Sequence, residues 1–307
     1  MVLVVLAVTL LAFGALNFLG DPLFNILGPI ADEASGEQFA DVREQARAEY
    51  NLDEPFFVRY GLWVEGLVQG DFGRSFANGT TVAEEIRPTL PITILLMVYA
   101  QVLAVAISVP WALWSASRAF KAVDKVSTVV SFGMLGIPVF ALAVIVFWLF
   151  AVRWEIFPTR YSDDSFTDQL LSLFLPAVVL AVPLIATYQR LLRTDLISTL
   201  QEDFIAVARA KGLPQWHVLT RHALRPSLFS MLTVFGIQTG ALIGGSLIVE
   251  SYFAVPGIGA KVVEAIIRDD FPVVLAIVVV VTVIFVVVNF LVDLAYSFLD
   301  PRVQING

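Results

Sequence analysis

The chain has 307 residues, of which 58% are hydrophobic and only 15% are charged. Soluble domains average about 25% charged residues, so the composition excludes an ordinary soluble protein and predicts an integral membrane protein. The chain contains no cysteine, which excludes a disulfide framework, a thiolate nucleophile and a thiolate metal site.

Six apolar runs are long enough to cross a bilayer, which needs about 20 residues. They predict an all-α bundle of six spans at residues 2–19, 90–114, 126–152, 170–188, 228–249 and 272–299. Prolines inside several runs, such as Pro138, Pro176 and Pro183, are compatible with spans because neighbouring helices accommodate them. The first run could instead be a signal peptide, but it lacks a basic n-region and is long for an h-region. We favour a signal anchor or first span, and the missing basic flank suggests a natural start upstream of Met1.

The net charge of −8 comes from one segment after the first run. Residues 21–87 contain 13 acidic and 5 basic residues, whereas the rest of the chain has 14 of each. Within this segment, Phe56, Tyr60, Trp63 and Leu67 recur at helical spacing and predict an amphipathic helix. Asp53 is its expected cap, with Pro55 in the first turn. The helix could pack on the protein's own surface, lie among lipid headgroups or dock a partner.

Basic residues in short loops predict the orientation, because cytoplasmic loops are rich in Lys and Arg. If the spans alternate, ten of the 19 basic residues fall on one side: Arg118, Lys121, Lys125, Arg190, Arg193, Arg209, Lys211, Arg221, Arg225 and Arg302. Both termini are then cytoplasmic. We predict a first span in residues 1–20, an acidic extracytoplasmic loop in residues 21–88, and a five-span core in residues 89–307.

Polar side chains inside the spans are few, and they default to the bundle interior or a water-filled path. Gln101, Gln238 and Asn289 could line such a path or hydrogen-bond between helices, and Glu250 at the outer end of span five could serve an outer gate or contact a docked protein. Gly236, Gly240 and Gly244 form a small-residue stripe that permits close helix packing, within the subunit or between subunits.

The sequence predicts no catalytic residue and no metal site. No GxxxxGK phosphate loop occurs. His217 and His222 are five residues apart, whereas metal ligands on one helical face are more often four apart. Neither histidine lies at membrane depth, as a serine–histidine intramembrane hydrolase would require.

The segment 202–228 is the longest polar, basic stretch between apolar runs. It predicts a helix over residues 203–211, a turn at Gly212, Leu213 and Pro214, and a second helix through His222. Alone, this could be mistaken for a DNA-binding helix–turn–helix. Its position between two spans favours a short helix that lies across the cytoplasmic face and inserts into a partner's groove, with no role in nucleic-acid binding.

The residues FIAVARAKGLPQWHVLTRHALRPSL resemble the coupling segment of permease subunits of bacterial ABC importers, in the form found in the dipeptide, oligopeptide and nickel group. The general pattern is Glu-Ala-Ala, three residues and Gly. Here Ala206 replaces the Glu and Val207 the first Ala, while Ala208 and Gly212 are kept. The peptide-group form is met by ARAKGL at 208–213 and by RHALRPSL at 221–228.

Other stretches are similar to the same group. They are the outer loop with Gly70, Asp71, Gly73 and Ser75, the segment GGSLIVESYFAVPGIG with Glu250, Pro256, Gly257 and Gly259, and the ending FLDPRV. The resemblance covers nearly the whole chain. The long loop after span one is typical of the first of the two paired permeases.

The resemblance implies a multi-pass subunit of the bacterial cytoplasmic membrane that imports di- or oligopeptides by alternating access. It implies a second permease, two cytoplasmic ATPase subunits that bind ATP and Mg, and an extracytoplasmic binding protein. The implied coupling residues are Ala208, Arg209, Ala210, Lys211, Gly212, Leu213, Trp216, Val218, Leu219 and His222, with apolar side chains for the ATPase groove. Nickel complexes, glutathione or haem are alternative cargoes. A non-transporting membrane scaffold or sensor is the alternative class.

Overall fold

A computed structural model describes residues 2–18, 44, 47 and 53–299. Regular structure in these residues is helical, apart from one isolated bridge between Arg74 and Thr81. The predicted all-α class is therefore confirmed. The helices are α1 (Val2–Phe18), α2 (Phe56–Val68), α3 (Val82–Ala116), α4 (Ala122–Gly136), α5 (Val139–Phe147), π1 (Trp148–Arg153), α6 (Phe166–Thr199), α7 (Asp203–Ala210), α8 (Gln215–His217), π2 (Val218–Ala223), α9 (Leu224–Tyr252), α10 (Ile258–Ile267) and α11 (Phe271–Leu299).

Among the residues that the structure describes, four stretches are long and apolar enough to cross a membrane. They are α3, α6, the run Gln215–Tyr252 that contains α8, π2 and α9, and Phe271–Ala295 of α11. A fifth candidate is the pair Ala122–Gly136 and Val139–Arg153. The predicted first span falls on α1, an apolar helix of 17 residues, and its last residue, Leu19, lies outside the described residues. The chain is a multi-pass membrane protein.

The third predicted span is broken, so the expectation of a single helix over residues 126–152 is wrong. α4 and the α5–π1 helix meet at an angle of 97°. Pro138 disfavours helical backbone in the residue before it, and Ile137 is extended, with φ −88° and ψ 119°. Pro176 and Pro183, in contrast, lie within the continuous helix α6.

The amphipathic helix is present as α2, but its predicted start is wrong. Pro55 occupies the N-cap position and no side chain caps the helix, because Asp53 lies two residues further upstream and pairs with Arg47 at 3.1 Å.

One face of α2 packs on α1. The ring of Phe13 lies 5.6 Å from Phe56, 5.7 Å from Tyr60 and 5.4 Å from Trp63. Of the three alternatives for this helix, these contacts favour packing on the protein itself. Other apolar side chains of α2 remain exposed, including Phe57 and Val68.

The chain divides into two compact units, one of Met1–Pro91 with Ala260–Val286 and the other of Ile92–Gly259 with Val287–Gly307. In the second unit α6 forms the centre of the core, where Leu173, Tyr188, Leu192 and Leu196 are fully buried. Helices α4, α5 and α9 pack around it. This arrangement anchors the segment that follows α6.

A buried ion pair joins the ends of three helices in this unit. Asp124 of α4 accepts hydrogen bonds from Arg193 of α6, one of them at 2.6 Å, and from Ser115 of α3 at 2.8 Å. The Phe120 N–H, from the turn between α3 and α4, donates to the same carboxylate at 2.8 Å. Asp124 is only 2% exposed, so these donors replace water around it.

Candidate functional site

Helix α7 holds one face against the second unit and leaves the other uncovered. Ile205 and Ala208 are buried, whereas Phe204 and Val207 are 49% and 56% exposed. Asp203 in the first turn and Arg209 in the last turn complement the helix dipole. The helix is thus fixed to its own subunit and still presents apolar surface outward.

The turn after α7 depends on Gly212. Its φ is +77°, a backbone conformation that costs a residue with a Cβ about 1–2 kcal/mol. Its N–H donates to the carbonyl oxygen of Arg209 at 2.9 Å. No other atom lies within 4 Å of the place that a Cβ would take, so backbone conformation alone explains the requirement for glycine.

The second helix of the segment does not end near His222 as predicted. It begins at Gln215, passes through the π-helical turn π2 and continues without a break into α9. The basic residues Arg221 and His222, followed by Pro226, are typical of a helix C-terminus, and the helix nevertheless continues through them. A displacement of the turn at Gly212 can therefore be transmitted along a membrane span.

Three of the expected coupling residues face inward, namely Ala208, Val218 and Leu219. Val218 and Leu219 are each 1% exposed and belong to the hydrophobic core of this chain, so they are not available to a partner. Trp216 is 60% exposed, and Arg209 and Lys211 are exposed as well. From the exposed side chains of this segment we select the large apolar and basic ones that neighbour the turn at Gly212 and call them the coupling surface: Phe204, Val207, Arg209, Lys211 and Trp216.

Gln101 of α3 forms hydrogen bonds with two other helices. Its amide nitrogen donates to Thr239 of α9 at 3.0 Å, and its carbonyl oxygen accepts from Tyr188 of α6 at 2.8 Å. Gln101 and Tyr188 are 6% and 0% exposed. Of the two predicted roles, the structure therefore favours helix–helix hydrogen bonding for this residue.

The glycine stripe of α9 divides into different environments. A Cβ on Gly236 would lie 3.0 Å from the side-chain oxygen of Asn289 on α11, so Gly236 packs within the subunit. Gly244 has no atom within 4 Å of its Cβ position. Gly240 and Gln238 are partly exposed on the same helix, and their predicted roles in packing and in the path stay predictions.

Glu250 is fully buried, with 0% of its surface exposed. One carboxylate oxygen accepts from Thr93 at 2.8 Å and the other from the N–H of Gly259 at 2.6 Å. Thr93 in turn accepts from the N–H of Ile258 at 2.8 Å. The carboxylate thus accepts a hydrogen bond from the first turn of α10 directly, and Thr93 accepts a second one from the same turn. Because it is fully buried, the carboxylate cannot touch a docked protein. The expectation of such a contact is wrong.

A polar network holds the turn before α3 in the first unit. Asp270 accepts from the Ser75 hydroxyl and from the Phe76 N–H, the latter at 3.1 Å. Lys261 contacts Glu85 at 2.7 Å and Glu264 at 3.3 Å. Burial lowers the pKa of Lys261, but the two carboxylates outweigh that effect and leave the pKa raised. Ser75, singled out with the outer-loop motif, is thus a structural anchor.

Comparison with known protein families matches residues 108–305 to the "Binding-protein-dependent transport system inner membrane component". The chain belongs to this family.

The similarity to relatives from this transport family extends over nearly the whole chain. The oligopeptide transport system permease protein AppB of Bacillus subtilis is 36% identical over 98% of this chain and 95% of its own length. The dipeptide transport system permease protein DppB of Alkalihalophilus pseudofirmus is 33% identical over 98% and 96%. The probable peptide ABC transporter permease protein y4tP of Sinorhizobium fredii is 35% identical over 93% and 90%. The recognised resemblance to this group is confirmed.

Sequence reasoning missed two surfaces of this transport-family chain. Phe204 and Val207 are not among the predicted coupling residues, although their spacing opposite Ile205 and Ala208 is an amphipathic signal in the sequence. On α9 a stripe of exposed residues recurs every three or four positions, and we call it the α9 stripe: Ser230, Thr233, Ile237, Ala241, Gly244, Ile248 and Ser251. Its composition gives no clear periodic signal, so only the structure reveals it.

Proposed function

We propose that this chain is one of two paired permease subunits of an ATP-driven importer of di- and oligopeptides. The observation that carries the proposal is similarity over nearly the full length to proteins named as oligopeptide and dipeptide transport permeases. The chain supplies the membrane path, and two ATPase subunits bind and hydrolyse ATP with Mg. Cargo arrives on an extracytoplasmic binding protein.

The coupling surface is the proposed contact with an ATPase subunit. Apolar side chains on a short rigid helix are suited to a hydrophobic groove, and Phe204, Val207 and Trp216 are exposed. Ile205 and Ala208 bind α7 to the core of its own subunit, so movement of the groove pulls on π2 and α9. Arg209 and Lys211 pair with acidic groups of the ATPase or with anionic lipid heads.

The α9 stripe is the proposed lining of the path between the two permeases. The stretch that contains α9 is the least buried and the least apolar of the four candidate spans, with a mean hydropathy of 1.7 and 28% burial. The exposed face of α3, by comparison, presents Ile94, Val98, Val102 and Ile107, as lipid contact requires. The stripe carries hydroxyl groups and no charge, which suits peptides of mixed charge.

The proposed topology has six spans and cytoplasmic termini. α1 and the bent pair α4–α5 count as spans, together with the four longer stretches. At a rise of about 1.5 Å per residue, α1 is about 25 Å long, close to the bilayer core of about 30 Å. α7 and the turn between α3 and α4 then lie on the cytoplasmic side, and α10 and the polar network of Asp270 lie outside.

The test is purification from native membranes in mild detergent, followed by reconstitution into vesicles. We expect a second permease and two ATPase subunits in fixed ratio, ATP hydrolysis stimulated by the binding protein, and uptake of labelled di- and oligopeptides. Uptake of nickel complexes, glutathione or haem instead would change the cargo. Recovery alone or with a non-ATPase partner would overturn the importer and favour a scaffold.

Variants of the coupling surface sharpen this test. Phe204→Ser with Val207→Ser should reduce recovery of the ATPase subunits and leave the amount of membrane-inserted chain unchanged. Phe57→Ser is a matched control, because Phe57 is 75% exposed and lies on α2, far along the chain from α7. Equal recovery of ATPase subunits with both variants would contradict the assignment of the coupling surface.

A further inference from the structure

The two histidines of the chain come together although their spacing does not predict it. In an α-helix of 3.6 residues per turn, positions five apart point about 140° away from each other. In a π-helix the hydrogen bonds join residues five apart, so these positions lie near the same face of the helix. His217 is the N-cap residue of π2 and His222 lies within it. Their ring centres are 5.8 Å apart.

We propose that His217 and His222 form a two-ligand site for a divalent transition-metal ion. Neutral imidazole is a good ligand for copper, nickel and zinc. An ion bound to a ring nitrogen at about 2.1 Å lies about 3.2 Å from that ring's centre. Two such ion-to-centre distances span at most about 6.4 Å, so rings whose centres are 5.8 Å apart are close enough to share one ion once their side chains rotate to direct a nitrogen at it.

The surroundings define what kind of site this is. His217 is exposed and His222 is half-buried, so an ion can reach the pair from water. In the part of the chain that the structure describes, no group of three or more His, Cys, Asp or Glu side chains could hold a metal. Water therefore completes the coordination. Exposed Arg221 neighbours the pair and reduces its affinity for cations, so the divalent ion that imidazole binds most strongly, Cu²⁺, is the best candidate.

An ion bound by both rings would brace π2 against α8. It would fix the joint between the turn at Gly212 and the long helix through α9, since His217 ends α8 and His222 lies in π2. The site is a feature of this chain alone and does not depend on the proposed transport function.

The experiment is a titration of the full-length chain, purified with a histidine-free tag, with Cu²⁺ followed by electron paramagnetic resonance. We expect one equivalent of Cu²⁺ with coupling from two imidazole nitrogens. His217→Ala or His222→Ala should each weaken binding about tenfold or more and leave one-nitrogen coupling. Unchanged affinity in either variant would overturn the site.

Discussion

Glu250 and Gly259 are fitted to each other closely. The N–H of Gly259 donates to a carboxylate oxygen of Glu250 at 2.6 Å, and a Cβ on Gly259 would lie 2.7 Å from that same oxygen. A Cβ on Gly257 would lie 2.4 Å from it. The two glycines thus allow a fully buried carboxylate to bind the first turn of α10 and Thr93 of α3.

Loss of this carboxylate should destabilise the subunit. Glu250→Ala leaves the Gly259 N–H and the Thr93 hydroxyl without their acceptor, and we expect a loss of about 1–3 kcal/mol for each buried group that stays unsatisfied. Gly259→Ala should also destabilise, because a backbone atom of Leu247 lies 2.9 Å from the new Cβ and must move.

Thermal unfolding of the purified subunit in detergent measures both effects. Gly133→Ala is the control, since Gly133 has no atom within 4 Å of its Cβ position, and it should unfold at or above the wild-type temperature. An unfolding temperature for Glu250→Ala equal to that of the control would contradict the capping role. Lost uptake with unchanged stability would instead favour a role at the outer gate.

The ion pair of Asp124 and Arg193 gives a second prediction. Asp124→Leu should cost about 3–5 kcal/mol, because it leaves a largely buried guanidinium group without its partner. Removal of both charges by Asp124→Leu with Arg193→Met should cost less than the sum of the two single changes, since no unpaired charge remains. Unfolding of the four proteins of this cycle is the measurement, and additive losses would show that the pair is not coupled.

The sequence alone predicts several of the helices, and there are physical reasons why it does not predict where others break. Hydrophobic length locates α3, α6, α9 and α11, because burial in lipid demands long apolar helices. Proline chemistry does not distinguish Pro138, which ends a helix, from Pro183, which lies inside one. That difference depends on which neighbours compensate the lost hydrogen bond, and this is a tertiary property.

The functional residues show the same division. The short helix and the glycine turn after it are local features, so the sequence predicts them. The inward direction of Val218 and Leu219 results from packing in the hydrophobic core of the second unit, which is a tertiary property. Glu250 is a charged residue, a type that normally lies on the surface. Only the close approach of Gly257 and Gly259 makes its burial possible.

Gly212 provides a graded prediction for the coupling turn. With φ at +77°, Gly212→Asn should be tolerated best because Asn adopts left-handed backbone more readily than other residues. Gly212→Ala should cost about 1–2 kcal/mol locally. Gly212→Pro should be most harmful, since proline fixes φ near −65° and removes the N–H that binds Arg209.

The measurements are uptake into vesicles and ATP hydrolysis stimulated by the binding protein, with the inserted amount of each variant as the reference. We expect activity to fall in the order wild type, Asn, Ala, Pro while insertion stays constant. Normal transport by the proline variant would show that this turn does not couple hydrolysis to transport.

The α9 stripe can be tested by the same substitution on two helices. Ile237 on α9 and Val102 on α3 are 59% and 57% exposed, and both lie well inside their helices. If Val102 contacts lipid, Val102→Asp should cost about 2.5–3.5 kcal/mol on insertion and lower the amount of inserted chain. Ile237→Asp faces water in the proposed path, so it should insert normally. Its carboxylate should then slow the uptake of acidic peptides more than that of basic ones, measured as a ratio of rates in vesicles.

Equal insertion defects for the two variants would assign the α9 stripe to lipid, whereas normal insertion with lost recovery of the second permease would assign it to the contact between subunits.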